Sequence, residues 1–343
     1  MSEAPAGGGR IAARYVAAAP DAPMRPAELV WDRSGRLVRV GRPRGPVADV
    51  CVVPGFCNAH AHLQLGPLAA RPRSFRLWLS AVMAERQAEA PAARRERLDA
   101  AVALLLADGT TAVGEVDSTG DSWLRLRRGP LRGRCYRELT GFHLAAVAAT
   151  RLARSRLRRA ARAQFALAAG LSPHAPYSVS APLFAAAARS CRHLMVHCAE
   201  VPEEQQFLRS GRGPFADLLA ELGRLPAGFR APGVGAVAWL AHLGVLRRHT
   251  ALVHCQELER GDVARIAGSG ASIVVCPGTI EWFRRSPPPV DRWLAAGIPV
   301  ALGTDSLASN HTLSMRAELA RAARWWPGLS PRRLLHLATA AGG

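Results

Sequence analysis

Five separate stretches of this sequence carry, at or near the end of an apolar and extended-looking run, a residue that can bind a metal or move a proton. FCNAHAH (56–62) ends in His60 and His62, and FALAAGLSPH (165–174) ends in His174. HLMVHCAE (193–200) carries His197 and Glu200, TALVHC (250–255) carries His254, and PVALGTD (299–305) ends in Asp305. Side chains two apart on a strand point the same way, so His60 and His62 can reach one ion. Imidazole and carboxylate donors around an open position suit a single zinc, or ferrous iron, that activates water.

Each residue alone has a plainer explanation. A histidine at a strand end is usually a satisfied polar group, Asp305 after Gly303-Thr304 could cap a helix, and Glu200 could pair at the start of the next one. Together they are hard to explain as packing, because a buried ionisable group destabilises a core unless it is paired or bound to metal. His143, His193, His242, His249, His311 and His336 lack matching partners and read as structural. Glu115 and Glu138 either line the same pocket or form ordinary ion pairs.

Such residues meet only if the fold gathers strand ends. Extended runs at 56–62, 110–116, 134–141, 165–174, 193–200, 250–255, 271–277 and 299–305 alternate with helical patterns. The helical patterns include Phe75–Arg86, Arg95–Leu106, Pro182–Ser190, Glu203–Leu222, Glu257–Ala267 and Leu313–Ala323. Eight such pairs predict an α/β fold, a (β/α)8 TIM-type barrel over 54–343, whose C-terminal strand ends share one mouth. No GxGxxG follows the first strand, which argues against a doubly wound nucleotide fold. Residues 1–53 read as a small β element with a turn at Ser34-Gly35.

Composition narrows the chemistry further. The chain has 343 residues, a formal charge of +19, and 45 basic residues that are all arginine. Without lysine there is no Schiff base, pyridoxal attachment, Walker-type loop or carbamylated-lysine metal bridge. The arginines are scattered, clustering at Arg151–Arg162 and at Arg125, Arg127 and Arg128 without interleaved aromatics; they read as a solvated surface, the first cluster as an exposed helix, rather than a nucleic-acid face. Seven cysteines, odd in number and lacking a CxxC pair, read as free thiols. No apolar run reaches membrane-spanning length and no signal-peptide order opens the chain, so the expected location is cytoplasmic.

The order PGFCNAHAH, LSPHAPYSVS, MVHCAE, ALVHC, VVCP and ALGTDSLASN resembles the amidohydrolase superfamily over about residues 50 to 341. Within it, the likeness is to the branch of aminodeoxyfutalosine, methylthioadenosine/S-adenosylhomocysteine, guanine and cytosine deaminases and triazine hydrolases. EEQQFLRSGRGPF after Glu200 resembles the aminodeoxyfutalosine deaminase-like members. The resemblance implies one divalent metal, usually zinc and sometimes iron, on His60, His62, His197 and Asp305. It implies Glu200 as the acid/base residue, His254 as the group orienting or deprotonating the attacking water, and His174 as a substrate contact. CPGTIEWF departs from the Cys-Pro-Arg or Cys-Pro-Asn type of many relatives. HLATAAGG stands where relatives usually continue into further strands, so the expectation is an N-terminal element lacking its partner strands.

The function expected is therefore hydrolytic deamination of a small aminated heterocycle, purine- or nucleoside-like. Triazine-type hydrolysis of another C–N or a C–halide bond is the enzymatic alternative, and a nucleic-acid-binding protein is the non-enzymatic one. Assembly is left open, a homo-oligomer included.

Overall fold

The computed structural model describes residues 8–17, 23–72, 74–160 and 167–342. Four short strands come first: β1 (Gly9–Val16), β2 (Arg25–Trp31), β3 (Leu37–Gly41) and β4 (Ala48–Val52), ordered β3-β2-β1-β4 in one sheet. One side buries Ala13, Val16, Ala27 and Leu29. Leu37, Val38, Val40 and Val50 stay exposed.

After Pro54-Gly55 the remaining strands are β5 (Phe56–Ala61), β6 (Thr110–Asp117), β7 (Arg132–Leu139), β8 (Leu167–Pro173), β9 (Leu194–Cys198), β10 (Thr250–His254), β11 (Ser272–Val275) and β12 (Val300–Leu302). They form one parallel sheet in chain order with helices between them, a nearly closed (β/α)8 barrel. LMVHC, SIVV and VAL are buried almost throughout, as strands covered on both faces must be. Each expected run overlaps one of these strands, with β6 running on to Asp117 and β7 starting already at Arg132; residues 165 and 166 lie outside the described residues.

Helix boundaries follow local chemistry. Ser74, Ser180, Ser314 and Ser330 accept hydrogen bonds from the amides three residues on, which satisfies donors a helix start leaves open. The single helix expected over Glu203–Leu222 is two, Pro202–Ser210 and Pro214–Glu221. Gly211 (φ 70°) ends the first in a left-handed cap, and Gly213 (φ 96°) with Pro214 starts the second. The helix expected from Glu257 begins only at Asp262, after left-handed Gly261. The arginine-rich stretch lies on helix Ala146–Ala160, with residues 161 and 162 outside the described part.

The barrel closes through the residues that carry the chemistry. Ala61 bridges Asp305 in parallel, the amides of Thr304 and Asp305 donate to the His60 carbonyl at 3.1 and 3.0 Å, and the His62 amide donates to the Asp305 carbonyl at 3.3 Å. Fully buried Asn58 joins the same seam: its Nδ2 donates to Thr304 Oγ1 at 2.7 Å, and its Oδ1 accepts from the Thr304 amide at 3.1 Å. Asn58→Ala is expected to lower unfolding free energy by about 2–3 kcal/mol, since it removes both bonds and leaves buried partners less satisfied. Urea denaturation monitored by tryptophan fluorescence measures this, and a loss well under ~1 kcal/mol would show that the seam holds without it.

Candidate metal centre and active site

The ends of β5, β9, β10 and β12 deliver their histidines and aspartate to one point inside the barrel mouth. His60, His62 and Asp305 have donor atoms within 4.8 Å of one another, and so do His60, His197 and His254. His62 Nε2 lies 3.1 Å from His197 Nε2, and Asp305 Oδ1 lies 3.5 Å from His60 Nε2 and 3.8 Å from His62 Nε2. All of these side chains are buried.

Hydrogen bonds on the far side of two rings decide which nitrogen offers a lone pair. The His197 Nδ1–H donates to the His174 carbonyl at 2.9 Å, and a carbonyl can only accept, so Nε2 is the free nitrogen. His60 Nδ1 sits 3.1 Å from the thioether of Met195, again an acceptor only. His60 Nε2 is therefore unprotonated, and it has no hydrogen-bond partner although wholly buried.

Charge follows the same logic. Burial pushes the imidazoles of His60, His62 and His197 below their ordinary range, and His254 down to about 3, so these rings are neutral. Burial also works to raise Asp305, but pairing with any proton that His60, His254 or His62 carries outweighs it, so the carboxyl is held well below the usual range and stays ionised. Three neutral imidazoles and one carboxylate crowded around one point fit a single divalent cation. The orphaned nitrogen of His60 is the clearest sign, since buried polar atoms otherwise find partners.

Around this set stand the groups suited to proton transfer. Glu200 Oε2 lies 3.7 Å from His254 Nε2, which is 4.0 Å from Asp305 Oδ2. Burial raises the Glu200 carboxyl to about 7, against the pull of Arg285. His174 bonds Ser178 Oγ at 2.7 Å through Nδ1, and its ring lies 4.9 Å from that of His197. A narrow cavity of about 60 Å³ over the donors is walled by Phe75, Trp78 and Tyr177. A further cavity of about 310 Å³ continues past His174 and Tyr177 towards Phe215 and Leu222. Backbone strain gathers here too: Ala199, His254, Cys255 and Asp305 are non-glycine residues with φ between 50° and 76°.

His60, His62, His174, His197, Glu200, His254 and Asp305 thus all lie at this mouth. Glu138 lines the cavity and faces Arg86 at 3.5 Å. Glu115 does not: it is buried to one side, accepting from the Leu63 amide and the Ser122 hydroxyl.

Several residues at the mouth had no signal in the sequence alone. The hydroxyls of Thr279 and Ser309 donate to Asp305 Oδ2 at 3.1 and 2.9 Å; Thr279 belongs to CPGTIEWF, the motif that departs from its relatives. Arg285 donates to the Glu200 carbonyl at 3.1 Å and to its carboxylate at 3.5 Å, packed over Phe283. Glu204 accepts from the Glu200 amide at 2.9 Å. Proximity in sequence was the only hint for Glu204, and nothing distinguished Arg285 among 45 arginines.

Comparison with known proteins agrees with this geometry. The model of the amidohydrolase family matches residues 51–342. An aminodeoxyfutalosine deaminase of Deinococcus radiodurans is 33% identical over 86% of this chain and 73% of its own length. The crystal structure of Helicobacter pylori aminofutalosine deaminase with methylthio-coformycin superposes with a TM-score of 0.82 at 21% identity, covering 97% of this chain and 85% of that one. A Xanthomonas campestris adenosine deaminase with bound zinc gives 0.77 at 22% identity, over 97% and 78%. At these identities the two structures attest the fold. Motifs, barrel and family match converge: this chain belongs to the amidohydrolase family.

Proposed function

We propose that this protein is a metal-dependent deaminase of an aminated, purine-like heterocycle, with an aminodeoxyfutalosine- or adenosine-type nucleoside as substrate. The observation that carries this reading is a protonatable carboxyl, Glu200 near 7, within reach of His254 and beside the metal donor set. The Deinococcus relative supports the substrate class by its name. His60, His62, His197 and Asp305 would hold one divalent ion, zinc in preference to ferrous iron. Such an ion supplies the acidity that makes water nucleophilic near pH 7, by lowering its pKa from 15.7 to about 7.

The chain's own groups do the rest. Protonated Glu200 donates to the ring nitrogen next to the amino-bearing carbon, which makes that carbon electrophilic. Water adds there, and its proton passes to Asp305, which is ionised, and on to Glu200. Glu200 returns that proton to the departing amine, which leaves as ammonia, and as the ring carbon becomes a carbonyl the remaining hydroxyl proton passes through Asp305 to Glu200 and restores its protonated form. Neutral His254, between Glu200 and Asp305, accepts a hydrogen bond from the water and orients it. His174 contacts the substrate from the wall, and Phe75, Trp78 and Tyr177 exclude solvent.

Zinc-loaded protein tested against a panel of aminopurine nucleosides should release ammonia stoichiometrically with the oxo product. Silence across the panel, with release of halide or amine from triazines, would overturn the reading. His197→Ala or Asp305→Asn should abolish turnover and strip the metal, as elemental analysis would show. Glu200→Gln should retain metal yet lose at least about 10²-fold in kcat.

The pH dependence has a definite sign. The working form of Glu200 is protonated, so kcat should fall as pH rises through its pKa. Arg285 lowers that pKa, so Arg285→Gln should move the basic limb of the kcat profile to higher pH. A limb that stays put would detach Arg285 from Glu200.

A further inference from the structure

The barrel has a second mouth, at the N-terminal ends of its strands, which the proposed reaction does not use. Barrels of this type are usually filled with layers of bulky branched side chains. Here the lower interior is lined by Cys57, Ala59, Ala112, Gly114, Ala251, Ser272 and Ala301, and a cavity of about 440 Å³ remains. Small-ligand pockets fall in this size range.

Its rim is cationic. Arg134, Arg248, His193 and His249 line the cavity. The His193 and His249 rings lie 4.9 Å apart, and Arg192 Nη2 is 2.6 Å from His249 Nε2. Elsewhere in the protein arginines meet carboxylates, as Arg209 meets Glu259 and Arg321 meets Glu281. At this mouth, among the described residues, Arg134 meets only the Ala169 carbonyl, and nearby Arg247 only the carbonyls of Ala188 and Cys191. Burial and the surrounding guanidiniums hold the His193 imidazole down to about 4 and depress His249 as well. No Asp or Glu is among the described residues that line this mouth.

Backbone geometry adds an independent observation. His249 is held at φ 70°, a left-handed conformation costly for a residue with a side chain. That turn between Arg248 and β10 presents Arg248 and His249 together at the cavity. Deeper in, Tyr136, Met195 and Val274 form an apolar wall.

We infer that this second mouth binds a small phosphate monoester, its phosphoryl group among Arg134, Arg248, His193 and His249 and its organic body against Tyr136, Met195 and Val274. Two guanidiniums and two imidazoles lining one mouth offer more donors than a flat carboxylate, which a single arginine fork would match, can use, and they suit a tetrahedral dianion. The apolar wall favours a monoester over inorganic phosphate. The inference is independent of the proposed deaminase reaction, because the metal donors lie at the opposite end of the strands.

Calorimetric titration of the metal-loaded protein with phenyl phosphate, inorganic phosphate and malonate tests it. Phenyl phosphate should bind, at least about tenfold more tightly than the other two. Arg134→Gln and Arg248→Gln should each weaken it about tenfold or more, whereas Glu200→Gln, which keeps the metal donors intact, should leave it unchanged. Arg248 is exposed, so its replacement tests the site even if Arg134→Gln fails to fold. Absence of phenyl phosphate binding at millimolar concentration, binding undiminished in Arg248→Gln, tighter binding of malonate, or loss of binding in Glu200→Gln would each overturn the inference.

Discussion

One buried nitrogen organises this molecule. His60 Nε2 has no hydrogen-bond partner, and the ring's Nδ1 faces the sulfur of Met195. A polar atom buried this way costs stability unless something else satisfies it. His62 Nε2 and His197 Nε2, 3.1 Å apart, face the same point. The fold tolerates the arrangement because these atoms, with Asp305, leave a place for a cation. The same backbone that presents them also zips the barrel shut, through Ala61, Thr304 and Asp305. On the proposed reading, metal binding and barrel closure share a seam, and binding energy there would also be folding energy.

How much of this was legible beforehand depends on the range of each interaction. The strands could be read because each is a short apolar run with a polar residue where it leaves the core, as in LMVHC and TALVH. His60 and His62 could be paired from their spacing, since strand geometry alone puts them on one side. Asn58 and Thr304 could not, for 246 residues separate them and neither type signals a partner. The break at Gly211 and Gly213 was overlooked because the apolar period runs through it, although both glycines and Pro214 were visible. Arg285 and the arginines of the second mouth were masked by abundance: where every basic residue is arginine, identity carries little information and only position separates a working guanidinium from a solvated one.

The two mouths show how position makes that separation. Arg285 at the upper mouth touches a buried carboxylate, and its cost of desolvation is offset by Glu200 and by the face of Phe283. Arg134 and Arg248 at the lower mouth face neutral imidazoles and small side chains. A chain of charge +19 can leave many arginines in water at little cost, because solvent screens them. Gathering them around a cavity inside a barrel is different, since like charges repel more strongly where water is displaced.

That contrast bears on how the barrel divides its labour. Met195 forms part of the partition: its sulfur meets His60 above, and its side chain lines the cavity below. Filling the lower interior with Val, Ile or Leu would have secured the His60 ring through packing alone, as ordinary barrels do. Here the ring rests on a flexible thioether over a cavity lined by Ala, Gly and Ser. Rigidity of the donor set must then come from elsewhere, and the structure supplies it sideways: from the His174 carbonyl on His197, from Thr279 and Ser309 on Asp305, and from Asn58 on the closing strand. The metal site is held by hydrogen bonds around its rim more than by the floor beneath it, and this is what leaves the floor free to be hollow.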